Sequence, residues 1–491
     1  MSALGHEPRR RAALALALAI ALAAGDGLAQ PSPTPPPAAP PRPLTIAAPS
    51  ETTLGNSLRV IVARRDGVPL VSAELVALTG AEADPPRLAG LASLSASLMT
   101  QGTRRHSAPQ LAAAAETLGG SLDSAAGWNH ALVSITVTTP KLDAALALVA
   151  EVTREPVFAN DELERVRTQA LDGLKVAYAE PSTLASIVAQ RLAYGPGAYG
   201  HPASGTPDSL PRIVRADLVA AHRQAFRPDN AVLILAGDID ADAGLALARR
   251  HFGSWTAPAT PLVKAPRAAA DPSSPAAAIV DMTTAGQTGV VLALALPDRS
   301  DEERTVGAVL NAVLGGGYSS RLNQEIRIRR GLSYGVSSGI EARREAALLR
   351  VSVQTKNESA AEVVALIQAE IDRLMTQPVD AEELAARKTT LIGGFSRSVE
   401  TTAGLAGAIR SLVVANRPAG ELKTRIERIG AVGSADVQRY AAAQLGVSRR
   451  RIAVAGEAGS SGKALLATLP GAVTVREDAL DVDRGESLSR R

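Results

Sequence analysis

The chain has 491 residues, of which 46% are hydrophobic, 21% charged and only 2% aromatic. That length exceeds one ordinary domain, and the cores must be built from Leu, Val, Ile and Ala. A formal net charge of +3 makes no electrostatic case for nucleic acid, and the absence of cysteine excludes disulfides, thiolate catalysis and thiolate metal sites.

In chain order, Arg9, Arg10 and Arg11 precede the apolar run AALALALAIALAA at 12–24, with small Gly27 and Ala29 ahead of Gln30. This is the pattern of a secretory signal peptide over 1–30, too short to span a bilayer. An exported chain, placed in the periplasm, is the expectation. No other run is long and apolar enough for a membrane helix, so no stable membrane insertion is expected after signal removal. PSPTPPPAAPPRP then gives a stiff Pro-rich tether at 31–44. A first domain is expected over 45–256, a Pro- and Ala-rich linker at 257–278, a second domain at 279–470, and a charged, disordered tail at 471–491.

The two domains read alike. ALVSITVTTPKLDAALALVAEV at 131–152 is a strand, a turn and an amphipathic helix, and LLRVSVQTKNESAAEVVALIQAEI at 348–371 repeats that plan. Each is followed by a Pro-led helix start, PVFANDELERVR and PVDAEELAARK, with acidic residues in the first turn where the helix dipole favours them. Each domain opens with alternating strands (LRVIVARR at 58–65, TGVVLALAL at 288–296) and closes with a late one (NAVLILAGDID at 230–240, RRIAVAGEAG at 450–459). The fold class is therefore α+β: two homologous α/β-roll domains, each a mixed or antiparallel sheet with helices packed on one face, joined by a linker.

GLASLSASLM at 90–99 places Leu91, Leu94, Leu98 and Met99 on one apolar stripe of a helix. Beside them Ser93, Ala96 and Ser97, at i, i+3 and i+4, share a face that could converge on a ligand, yet all three are small. With the downstream RRHSAPQLAAAAETLGGSLDSAAGWNHALVSITV, this segment resembles the N-terminal domain of the pitrilysin/insulinase family of zinc metallopeptidases, the processing-peptidase-like proteins. The resemblance extends from about 44 to about 470. In active members the corresponding helix carries His-x-x-Glu-His, two zinc ligands and the general base, with a third ligand Glu on a later helix and a supporting Glu seven residues before it. Those positions fall here on Ser93, Ala96, Ser97, Gly173 and Val166, all degenerate. A neutral hydroxyl is a poor zinc ligand, and alanine has no base to offer. The remaining acidic residues nearby, Glu162, Glu164 and Asp172, lack the i, i+7 spacing, and no two of the six His stand at i, i+4. No metal is expected on this chain. Ser93 and Ser97 have no neighbouring His and no Gly-x-Ser-x-Gly elbow to activate them.

LGGGYSSRLNQEIRIRRGLSYGVSSGI at 314–340 resembles the C-terminal-domain signature of the same family. There an Arg and a Tyr seven residues apart face the zinc site across a central chamber and hydrogen-bond the substrate backbone. They map onto Arg327 and Tyr334, which the resemblance makes the catalytic pair of this chain, contacting substrate and oxyanion in trans. A guanidinium and a phenol are suitable donors for that task. Read alone, Arg327 fits a solvated basic run with Arg329 and Arg330, and Tyr334 fits strand core. GEAGSSGKA at 456–464 lacks the spacing of a phosphate loop.

With one half-site erased and the other kept, the resemblance implies a non-catalytic, substrate-binding subunit of an exported heterodimeric zinc endopeptidase. It carries no cofactor itself, and its partner is a homologous zinc-bearing peptidase subunit. The expected substrates are peptides or unfolded segments. The alternative is a catalytically dead peptide-binding or scaffold pseudo-enzyme that grips peptides at an exposed sheet edge.

Overall fold

The computed structural model describes residues 46–263, 270–297, 300–344, 346–483 and 485–488. The expected signal peptide and tether lie outside the described residues. Among those described, twelve strands form two six-stranded sheets. The first has the order β1-β2-β6-β3-β5-β4, built from β1 (Ser50–Thr53), β2 (Arg59–Arg64), β3 (Leu70–Ala77), β4 (Leu122–Ala126), β5 (Ala131–Thr138) and β6 (Ala231–Gly237). The second has the order β12-β7-β11-β8-β10-β9, from β7 (Ala277–Asp281), β8 (Thr288–Pro297), β9 (Val336–Ala342), β10 (Ala346–Thr355), β11 (Arg451–Gly456) and β12 (Val473–Arg476).

The repeat read in the sequence is a repeat of pairing. β2 runs parallel to β6 as β7 does to β11, and the antiparallel set β6-β3-β5-β4 matches β11-β8-β10-β9. The outermost strands break the symmetry. β1 pairs antiparallel with β2, whereas β12 pairs parallel with β7.

β12 corrects the expected tail at 471–491. Val473 and Val475 give only two apolar residues among charged ones, too short a signal to stand out. They nevertheless find a free edge on β7, and Val475, Val482 and Leu488 are buried. Thr206 then donates to Asp483 at 2.6 Å, tying this segment to the first half. The expected linker also ends early, because Ala277 and Ala278 already belong to β7.

Each half stacks helices on one face of its sheet, as expected. In the first these are α1 (Leu91–Met99), α2 (Ala108–Thr117), α3 (Leu142–Arg154), α4 (Asn160–Ala179), α5 (Pro181–Tyr194), α6 (Arg215–Ala225) and α7 (Ala241–Phe252), with α5 an exception. In the second they are α8 (Asp301–Leu314), α9 (Ala360–Thr376), α10 (Ala381–Ser398), α11 (Thr402–Val414), α12 (Arg425–Ala431), α13 (Ser434–Gln444) and α14 (Ala458–Thr468), with α11 the exception. The two exceptions are exchanged. Leu184, Val188 and Leu192 of α5 pack on Val280, Val291 and Leu348 of the second sheet. In return α11 docks on β3 and β6, where Ser72 and Thr402 share a buried 2.8 Å hydrogen bond and Arg410 donates to the buried Glu74 at 2.6 Å. Both faces of each sheet are thus covered, so β6 and nearly all of β3 and β8 are buried at successive positions rather than alternate ones.

A second tie joins the halves. The turn after β9 carries Arg343, whose side chain has no exposed surface. Its guanidinium lies over Trp128 at 4.3 Å, Tyr199 at 4.7 Å and Tyr194 at 5.0 Å from the ring centroids. Three of the chain's few aromatic residues thus come from the first half to enclose one cation of the second. The neighbouring Arg344 donates to the Leu78 and Asn129 carbonyls and approaches Glu82 at 3.6 Å. No helix among the described residues is long and apolar enough to cross a membrane.

Candidate functional site

Helix α1 is capped by Gly90, whose φ of +90° favours glycine and where a Cβ would stand 2.7 Å from Gly205 Cα. Asp84 accepts the Gly90 and Ala92 N–H groups, both at 2.9 Å, and so fixes the first turn. The apolar stripe goes into the core as the spacing predicts. Ser93 is half-buried, Ser97 exposed and Ala96 only 1% exposed, so the three are on one side of α1 but not equally accessible. Ala96 lines a cavity of about 330 Å³ closed by His222 and Ala225 of α6 and by Phe226 just after it.

Helix α4 packs beside α1, and Arg165 ties it to Gln101 at 2.7 Å. It brings Val166 and Gly173 to the neighbourhood, Val166 packed against the core and Gly173 exposed with open space around its Cα. The carboxylates that α4 does carry are engaged elsewhere: Glu162 with Arg165, Glu164 with Arg167, and Asp172 with Lys175, each at i, i+3. The Ser97 hydroxyl donates to the Ser93 carbonyl at 3.0 Å, spending its proton on the helix. The residues present do not fit a zinc ion. Two hydroxyls, a methyl and a bare Cα supply neither imidazole nor carboxylate.

Among the described residues the histidines are paired or at least half-buried. His106 pairs with Glu151 and His251 with Asp143. His222 bonds the Thr153 carbonyl at 2.9 Å and is pushed down to about 4 by burial; His130 is pushed down likewise. Among the described residues no three His, Asp or Glu side chains are grouped to hold a metal.

The second constellation is better formed. Asn323–Arg329 is a π-helix, ended at Gly331 with φ +63°. Glu325 accepts from Arg329 and Arg330, and Glu362 also takes Arg330, so those two cations are paired as the surface reading expects. Arg327 differs. It has no carboxylate partner among the described residues and lies over the Tyr318 ring at 4.8 Å. Tyr334, on the connection to β9, is 91% exposed and is not strand core. Tyr318 itself, 62% exposed, was not singled out by sequence reasoning. Its one signal is its place in GGGYSSRL, a glycine run that lets an aromatic ring sit beside the helix that follows.

Residues 59–201 match the sequence profile of Insulinase (Peptidase family M16), and residues 212–391 match that of the Peptidase M16 inactive domain. The chain belongs to the M16 peptidase family. An uncharacterized zinc protease of Mycobacterium tuberculosis is 29% identical over 369 residues, which is 74% of this chain and 83% of that protein. Another, from Bacillus subtilis, is 23% identical over 71% of this chain and 84% of its own length. Among solved structures, a peptidase M16 inactive domain from Pseudomonas fluorescens superposes with a TM-score of 0.78 at 25% identity, covering 83% of this chain and 98% of that one. A protease from Helicobacter pylori superposes at 0.79 with 18% identity, covering 84% and 100%. Helices α1 and α4 lie within the first matched span, and the π-helix and Tyr334 within the second.

Proposed function

We propose that this M16 chain is the non-catalytic, substrate-binding subunit of an exported, periplasmic heterodimeric zinc endopeptidase acting on peptides or unfolded segments. The observation that carries this reading is the contrast between the two half-sites. α1 and α4 offer no ligand or base, whereas Arg327 lies over the Tyr318 ring without a carboxylate partner among the described residues, and Tyr334, seven residues on, is exposed. Both side chains are hydrogen-bond donors, and in a shared chamber they would hold the substrate backbone and steady charge developing on its carbonyl oxygen. The metal and the base would come from a homologous partner. A chamber closed by two such subunits would admit extended chains and exclude folded ones.

A peptide-binding scaffold without proteolysis is a second reading, favoured by β4 and β9, which each end a sheet with one edge unpaired. Co-expression with zinc-bearing M16 homologues encoded nearby, followed by pull-down and assay on an unfolded substrate, separates the two. The subunit reading expects a co-purifying partner whose chelator-sensitive hydrolysis needs this chain. A partner fully active alone, or none bound, overturns it.

A further inference from the structure

We propose that the cavity bounded by α8, α10, α11 and α12 binds an amphiphile with one carboxylate head and a long hydrocarbon chain. This does not depend on the peptidase reading. By the internal repeat, α8 and α10 are the counterparts of α1 and α4, so the cavity stands in the second half where the zinc cleft of an active first half would stand.

The cavity is about 590 Å³, well within the range of small-molecule sites. Its walls are Leu296, Ala308, Ile340, Leu391, Leu412 and Ile429. The space exists because of how α11 is used. Its Leu405, Ala406, Ile409 and Val413 are buried, the helix being docked on the first sheet, which leaves Gly404, Gly407, Ala408 and Ser411 facing the cavity. Small residues there leave unfilled volume that bulky ones would occupy.

Arg304, Arg417, Arg425 and Arg428 line the cavity against a single acid, Glu421, which pairs with Arg417 and Arg428. Arg425 is exposed at the rim and stacks over Phe395 at 5.2 Å, with no hydrogen-bond or ion-pair partner among the described residues. A planar guanidinium held against a ring, with its donors unused, is suited to a carboxylate. The apolar walls favour a hydrocarbon tail over a peptide, whose amides would be buried with few partners.

The test is isothermal titration of the purified full chain with dodecanoate below its micellar concentration. Dodecyltrimethylammonium serves as the cationic control, and an apolar peptide with a free C-terminus as competitor. One saturable dodecanoate site per chain is expected, weakened about tenfold or more by Arg425→Ala, since charge-assisted hydrogen bonds are lost. Ala308→Phe, which fills the cavity, should abolish it; Arg425→Ala, a change at the rim, keeps the test open if the filled variant does not fold. Absence of saturable binding, equal binding of the cationic detergent, full affinity in Arg425→Ala, or displacement by the peptide at lower concentration than dodecanoate each overturns the proposal.

Discussion

Replacing Arg343 tests how the two halves are held together. The guanidinium has three rings at 4.3–5.0 Å and no exposed side-chain surface. At about 1 kcal/mol for each desolvated cation–π pair, the cage contributes about 3 kcal/mol. The hydrogen bonds to the Tyr199 carbonyl, Gln190 and Glu341 are long, 3.3–3.4 Å, and add on the order of 1 kcal/mol together. Opposing this is the cost of keeping a cation out of water, which the variant no longer bears. Arg343→Ala also leaves a void between Trp128 and the two tyrosines. We expect a net loss of about 2–4 kcal/mol for Arg343→Ala and roughly half that for Arg343→Met, which refills the void without the charge. Urea unfolding gives the stability, and Trp128 fluorescence reports the cage directly, because only one other Trp is present. If Arg343→Met proves as stable as the parent, desolvation outweighs the cage and the reasoning fails.

The purified chain should bind no stoichiometric zinc; near one zinc per chain by elemental analysis after dialysis would refute the reading of α1. Joint Ser93→His, Ala96→Glu and Ser97→His replacement should not create chelator-sensitive peptidase activity, because Gly173 still lacks the third carboxylate and Ala96 is enclosed by α6. In the assembled peptidase, Arg327→Ala and Tyr334→Phe should each lower kcat by about 10²–10³ with little change in KM or assembly, and wild-type turnover would favour the scaffold. Glu82, buried and pushed up to about 7 from 4.5, keeps in the fold a proton that the unfolded chain releases. Its stabilisation is therefore full below about pH 4.5 and is lost as pH rises to about 7, so the melting temperature should fall between pH 5 and pH 7, and less so in Glu82→Gln. His130 and His222, held neutral by burial, act oppositely and lower stability as pH drops below 6.5.

The repeat and the degenerate helix were legible because they rest on local signals: strand-turn-helix order, the stripe of Leu91, Leu94 and Leu98, and three small residues at ligand spacing. The exchange of α5 and α11 was not. Yet TGVVLALAL carries its trace. A sheet covered on one face should alternate, whereas Val290 through Leu294 are apolar at every position and almost fully buried. Reading that run as alternation hides the second cover. Tyr318 escaped because its partner Arg327 lies nine residues on, and a cation–ring contact across a π-helix has no sequence period. Val473 and Val475 escaped because the edge they complete is contributed by a strand nearly two hundred residues earlier.

The exchanged helices also set an order of events during synthesis. The inner strands of the first sheet are complete once Gly237 has been made, but the helix that covers β3 and β6 ends at Val414. Until then Ile61, Val76 and Ile234 have no cover on that face. The nascent first half must therefore stay sticky and incomplete while most of the second half is still being translated. Chains cut at the linker would each carry a bare apolar sheet, so limited proteolysis there should yield fragments that remain together and aggregate when forced apart.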